Sequence, residues 1–119
     1  MTTEIAVFGA SGMLGSAVCD RLWDEDAPKL SWDDVVFQPS HDEYDLTSID
    51  ECDLFFETNY PDTVIMCAGK VGGIKANMED PLGFLNENIL MTINIINSCA
   101  KYDVKYLINV ASSCMYPRD

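Results

Sequence analysis

Apolar and polar positions alternate along the chain in blocks that predict strands and helices in turn. Glu4 to Phe8 is a short apolar run closed by Gly9, the pattern of a strand buried on both faces of a parallel sheet. Leu14, Ala17, Val18, Arg21 and Leu22 then fall at helical spacing and predict an amphipathic helix whose apolar stripe lies on that sheet. Asp24 to Asp34 carries Pro28 and many charges and reads as a connection. Val35 to Gln38 reads as a second, short strand stopped by Pro39.

Thr47 and Ser48 can cap a helix through about Glu57, with Ile49, Cys52, Phe55 and Phe56 on its inner side. Asn59 to Asp62 form a turn into a third strand, Thr63 to Ala68. Asp80 followed by Pro81 is an N-cap with proline at the first helical position. Leu82, Leu85, Ile89, Ile93, Ile96 and Ala100 mark the helix that follows, of about five turns. Val104 to Val110 is a fourth strand. Alternating strands and helices predict an α/β fold: a partial Rossmann domain, with a parallel sheet of about four strands and helices on both faces.

The length of 119 residues suits one domain, 1–119, burying roughly 65% of its unfolded surface. An apolar fraction of 48% excludes a disordered class. Seven Lys and Arg against 20 Asp and Glu give a net charge of −13, a field that repels phosphate backbones and anionic lipid, so nucleic-acid and membrane partners are not expected. The five cysteines include no C-x-x-C pair and have only His41 to join them, which argues against a structural metal or a disulfide framework. The N-terminus lacks the pattern of a signal peptide, and no apolar run approaches the ~18 residues of a membrane span. A reduced, cytoplasmic setting is expected.

Gly9, Gly12 and Gly15 stand in G-A-S-G-M-L-G at the first strand-to-helix junction. A dinucleotide turn asks for glycine three times: for the tight turn, for approach of the pyrophosphate, and for close helix–strand packing. The amides that open the helix, at Ser11 to Leu14, then meet phosphate at the positive end of its dipole. The alternative is a turn whose glycines serve packing alone. An acidic residue expected about 20 residues on, to hold the ribose, is not cleanly placed; Asp42, Glu43 and Asp45 lie just beyond the second strand.

With this turn, A-G-K-V-G-G-I-K-A-N-M (68–78), P-L-G-F-L-N-E-N (81–88) and A-S-S-C-M-Y-P (111–117), the chain resembles the GDP-L-fucose synthase family of extended short-chain dehydrogenases/reductases, among the NAD-dependent epimerases/dehydratases. The resemblance covers essentially the whole chain and about half of a complete enzyme. It implies epimerisation and NADPH-dependent reduction of GDP-4-keto-6-deoxy-mannose, a nucleotide-sugar. Ser112 matches the serine that hydrogen-bonds the sugar keto oxygen, and Cys114 the cysteine that acts as acid/base in epimerisation, roles that suit a hydroxyl at a developing alkoxide and an exchanging thiol. Read without the family, they are a capping serine and a buried small hydrophobe. By the same resemblance Ala68, Gly69 and Lys70 line the cofactor's ribose or nicotinamide side, Asp45 and Leu46 touch adenine, and Asn88 ties the strand-end loops together.

Two departures qualify the resemblance. Where the family holds basic side chains for the 2′-phosphate of NADP, this chain has Ser11, Pro39 and His41. NADP is implied by the family, with NAD as the alternative. The family's Tyr-x-x-x-Lys has no counterpart: Tyr102 is followed four places on by Tyr106. The chain then reads as a truncated cofactor-binding domain without a substrate domain, inactive alone, and either homo-oligomeric or completed by a chain carrying the missing half. A non-catalytic nucleotide-binding module and an acidic interaction domain are the other readings.

Overall fold

The computed structural model describes residues 3–24, 34–68 and 78–110. Its elements run β1 (Glu4–Phe8), α1 (Met13–Leu22), β2 (Val35–Phe37), α2 (Ile49–Asn59), β3 (Thr63–Met66), α3 (Pro81–Lys101) and β4 (Tyr106–Asn109). The four strands form one sheet in the order β2-β1-β3-β4, and every pairing is parallel. This is the α/β sheet that alternating strands and helices predict. The chain steps from β1 to β2 on one side, then returns past β1 to β3 and β4. The reversal opens a crevice at the carboxyl ends of β1 and β3, where ligands bind in open α/β sheets.

Reversing the direction of travel moves the helices to the opposite face when connections are right-handed. Accordingly α1 packs Cys19, Val18 and Leu22 against Ile5, Val7, Val36 and Ile65 on one face. On the other face, α2 and α3 set Phe55, Phe56, Met91, Ile95 and Cys99 against Ala6, Phe8, Val64 and Met66. β1 is thus buried on both sides, as its unbroken apolar run requires. Phe8 meets Phe55 edge-on with centroids 5.1 Å apart, and Phe55 meets Phe56 at 5.5 Å. Truncating such a ring to alanine costs about 3–5 kcal/mol.

The caps follow the sequence closely. The Ser48 side chain accepts the Glu51 amide at the start of α2, and Asp80 Oδ1 accepts the Gly83 amide at the start of α3, behind Pro81. α2 runs two residues past Glu57 and stops at Tyr60, whose φ of 44° is left-handed and whose amide donates to the Phe56 carbonyl. The third and fourth strands are shorter than their apolar runs.

Three of the expected stripes are placed differently. In α1 the buried residues are Gly15 and Cys19, flanked by half-buried Val18 and Leu22, while Leu14 and Ala17 face outward. Close approach of α1 to the β1 turn selects glycine over leucine on the contact line. In α2, Cys52, Phe55 and Phe56 are buried, but Ile49 in the first turn extends beyond the sheet and is exposed. In α3 the buried face is Met91, Asn94, Ile95, Ser98 and Cys99, and Leu82, Leu85, Ile89, Ile93 and Ile96 are exposed. No helix among the described residues is long and apolar enough to cross a membrane.

Candidate functional site

The glycine turn sits at the mouth of the crevice, and each glycine answers a separate demand. Gly9 leaves β1 at φ 80°, a left-handed conformation that side chains disfavour, and a Cβ there would lie 2.6 Å from the Ala68 nitrogen. The ends of β1 and β3 can approach this closely only through glycine, and the Cys67 amide donates to the Phe8 carbonyl at 2.9 Å beside it. A Cβ on Gly15 would overlap the Gly9 carbonyl oxygen and stand 2.9 Å from Ala10 Cα, so α1 is pressed onto the turn.

Gly12 differs. Among the described residues a Cβ there would meet only the Gly9 carbonyl oxygen, at 3.4 Å, an ordinary contact. Packing among the described residues does not demand glycine at this position. Gly12 is also the N-cap of α1, with φ −75° and ψ 172°, and no side chain caps the helix. Its own amide donates to the Gly9 carbonyl at 3.1 Å, and the first intrahelical bond is Ser16 amide to Gly12 carbonyl at 2.9 Å. The amides of Met13, Leu14 and Gly15 precede that bond, the first turn holds no acidic residue, and Ser11, Gly12, Met13 and Leu14 are exposed. Such an end receives an anion through backbone N–H groups and the helix dipole.

The chain between β2 and α2 meets α3. His41, Asp45 and Thr47 line a recess of about 230 Å³ with Glu87 and Leu90. Asp45 Oδ1 accepts from the Thr47 hydroxyl at 2.7 Å and the Thr47 amide at 3.0 Å. These bonds, the hydroxyl's foremost, hold the Asp45 carboxyl below the usual carboxylate range, and His41 adds to the effect. The Leu46 side chain is core rather than recess wall. Its carbonyl accepts the Asn94 side-chain amide at 2.9 Å and the Cys52 thiol at 3.5 Å, so side chain and carbonyl are both engaged by the core.

Of the anticipated site residues, Gly9, Ser11, Gly12, Met13, Leu14 and Gly15 form the turn, Ala68 stands against it, and His41 and Asp45 share the recess. Asn88 lies on another flank of α3, in an open groove with Phe84, Leu85 and Thr92. Gly69, Lys70, Ser112 and Cys114 lie outside the described residues. Asn94 is the residue that the pattern of apolar positions passes over. Its sign in the sequence is an amide spaced three from Met91 and four from Ser98, on what becomes the inner face.

The described cysteines are free. Burial pushes the Cys52 thiol up to about 12, with Asp53, Asp45 and Glu51 adding to it, and burial pushes Cys99 up to about 11. Burial also raises Cys19 and Cys67. These thiols stay protonated at neutral pH and act as small hydrophobes.

The sequence profile of the NAD dependent epimerase/dehydratase family matches residues 5–119. The chain is similar to a putative GDP-L-fucose synthase 2 of Arabidopsis thaliana, with 38% identity over 117 residues, 98% of this chain and 34% of that protein. It is 35% identical over 116 residues to a GDP-L-colitose synthase of Yersinia pseudotuberculosis, covering 98% of this chain and 35% of that protein. Among solved structures, a GDP-L-fucose synthetase from Naegleria fowleri bound to NADP superposes with a TM-score of 0.78 at 29% identity, covering 98% of this chain and 33% of that one. The chain thus spans about a third of the length of the curated relatives it matches, rather than half. With a parallel sheet, a glycine turn at its switch point and a family profile that runs from β1 to the last residue, this chain belongs to the NAD dependent epimerase/dehydratase family.

Proposed function

We propose that this chain is the dinucleotide-binding domain of a GDP-L-fucose synthase-like epimerase/reductase that acts on GDP-4-keto-6-deoxy-mannose, a nucleotide-sugar. One observation carries the reading. Gly9 and Gly15 are filled against by protein, whereas a Cβ on Gly12, at the uncapped start of α1, would meet among the described residues only the Gly9 carbonyl oxygen, at 3.4 Å. The amides of Met13 and Leu14 would hold the pyrophosphate of a nicotinamide dinucleotide, and His41, Asp45 and Leu46 would border its adenosine side. Ala68, with Gly69 and Lys70 after it, borders the nicotinamide side, and Asn88 supports the loops from α3.

Bound there, the dinucleotide supplies a hydride. The chain's own residues orient it and handle protons: the Ser112 hydroxyl hydrogen-bonds the keto oxygen as negative charge develops on it, and the Cys114 thiol exchanges a proton at the carbon beside the carbonyl. The sequence holds no Tyr-x-x-x-Lys to deliver the reductive proton. Turnover then requires this pair and a sugar-nucleotide domain in addition to these 119 residues, in the reduced setting of the cytoplasm, with further copies of this chain or a complementary chain as its partners.

Titration of the purified chain with NADH and NADPH, followed by nicotinamide fluorescence and calorimetry, tests the reading. Saturable binding without consumption of GDP-4-keto-6-deoxy-mannose is expected of the chain alone. Absence of binding by either dinucleotide leaves only a family fold without its ligand.

A further inference from the structure

The recess between the β2–α2 segment and α3 has two walls, and one buried side chain joins their bases. His41, Asp45 and Thr47 make the first wall, and Glu87 and Leu90 make the second. Along α3, Glu87, Leu90 and Asn94 follow one another at spacings of three and four, so they share one stripe of the helix. Leu90 is exposed and Asn94 is buried, 7% exposed, so the stripe descends from the wall of the recess into the core.

At the foot of that stripe Asn94 reaches across. Its side-chain amide donates to the Leu46 carbonyl at 2.9 Å, and Leu46 stands between Asp45 and Thr47 of the first wall. The bonds from Thr47 to the Asp45 carboxylate, and from the Ser48 amide to the Asp45 carbonyl, close within the segment and shape it. The Asn94 bond does something else: it ties that shaped segment to the helix carrying the opposite wall.

The Leu46 side chain belongs to the apolar cluster that also holds Phe8 and Met66, the last residues of β1 and β3, with Ala68 packed against it. Its position is therefore referred to the carboxyl ends of the two central strands as well as to α3. An amide buried beside Met91 and Ile95 loses hydration that an apolar side chain would not, and its hydrogen bond offsets the loss. What the amide adds over a leucine is direction, a set place for the Leu46 backbone.

We propose that Asn94 is a positioning residue for the adenosine of the dinucleotide: through the Leu46 carbonyl it holds Asp45 and Thr47 at a set distance from Glu87 and Leu90, so the recess is shaped before the ligand arrives. The proposal rests on the reading of His41, Asp45 and Leu46 as the border of the adenosine side. A recess that has to be ordered by its ligand gives up affinity for that part of the ligand alone.

NMR titrations of the full chain and of Asn94→Leu with NADH, adenosine and inorganic pyrophosphate test it. In Asn94→Leu, NADH and adenosine bind about tenfold more weakly, the order of effect of ordering one or two side chains, while pyrophosphate, held by the amides of Met13 and Leu14, binds as before. A second reading needs no variant: in the unaltered chain the Asn94 side-chain amide resonance shifts with adenosine and stays in place with pyrophosphate. Equal weakening for all three ligands, or none for any, makes Asn94 a stabilising contact only and overturns the proposal. An Asn94 resonance that ignores adenosine overturns it also, even where Asn94→Leu fails to fold. If the unaltered chain binds NADH and pyrophosphate but not adenosine, the proposal falls and the phosphate site at α1 stands. If it binds none of the three, the dinucleotide reading falls with the proposal.

Discussion

Asn94, buried on α3, donates its side-chain amide hydrogen to the Leu46 carbonyl 48 positions away at 2.9 Å. That bond pins the segment between β2 and α2 to the core, and Asp45 and Thr47 hang from it at the recess. In Asn94→Leu the carbonyl keeps only the weak thiol donor of Cys52 at 3.5 Å. Leaving a buried acceptor under-satisfied costs about 1–3 kcal/mol. A urea unfolding midpoint that does not move in Asn94→Leu contradicts this. Asn94→Asp, with no hydrogen to donate to the carbonyl at neutral pH and a charge buried instead, destabilises further.

Acid weakens the same segment. Hydrogen bonds from Thr47 hold the Asp45 carboxyl below its unfolded value of about 3.9. Its contribution is therefore complete above that value and is lost as pH falls through the lower folded value. Thr47→Val deletes the 2.7 Å hydroxyl bond and should flatten the decline below about pH 4. Chemical denaturation of both forms from pH 7 down to pH 3 provides the comparison.

Alkali acts through the buried thiols, with the opposite sign. Cys52 and Cys99 are raised to about 12 and about 11 in the folded chain. The unfolded chain releases these protons near pH 8.5 or so while the folded chain retains them. Stability is complete below that point and declines as pH rises toward the folded values. Cys52→Ala, though less stable at pH 7, should show a shallower loss between pH 9 and 11 in urea melts, and an equal slope would show that Cys52 does not drive it.

The elements most legible in the sequence are those whose signals are local. The run from Glu4 to Phe8, the caps at Ser48 and Asp80, and the glycine triplet are each patterns complete within a few residues of sequence. Stripes proved harder to read because apolarity does not say which face meets the sheet. In α3 the more apolar face, Leu82 to Ile96, is exposed, and the buried face carries Asn94 and Ser98. Those two are tolerated inside only because Leu46 and Asp53, distant in sequence, accept their hydrogens. No pattern confined to one helix discloses such partners. Along α1 the contact line passes through Gly15, the residue with least apolar surface, because the turn lies so close.

The glycine turn allows stability and binding to be separated. Gly15→Ala drives a Cβ into the Gly9 carbonyl, and backbone cannot give way as a flexible side chain would, so a loss of about 2 kcal/mol or more is expected. Gly9→Ala suffers twice, from its φ of 80° and from the Ala68 backbone. Gly12→Ala meets neither obstacle: its φ of −75° suits any residue and its nearest contact is 3.4 Å. Its unfolding midpoint should stay close to that of the unaltered chain while the new methyl occupies the path by which pyrophosphate reaches the Met13 and Leu14 amides. A stable Gly12→Ala chain that binds NADH or NADPH undiminished would place the diphosphate somewhere other than the start of α1.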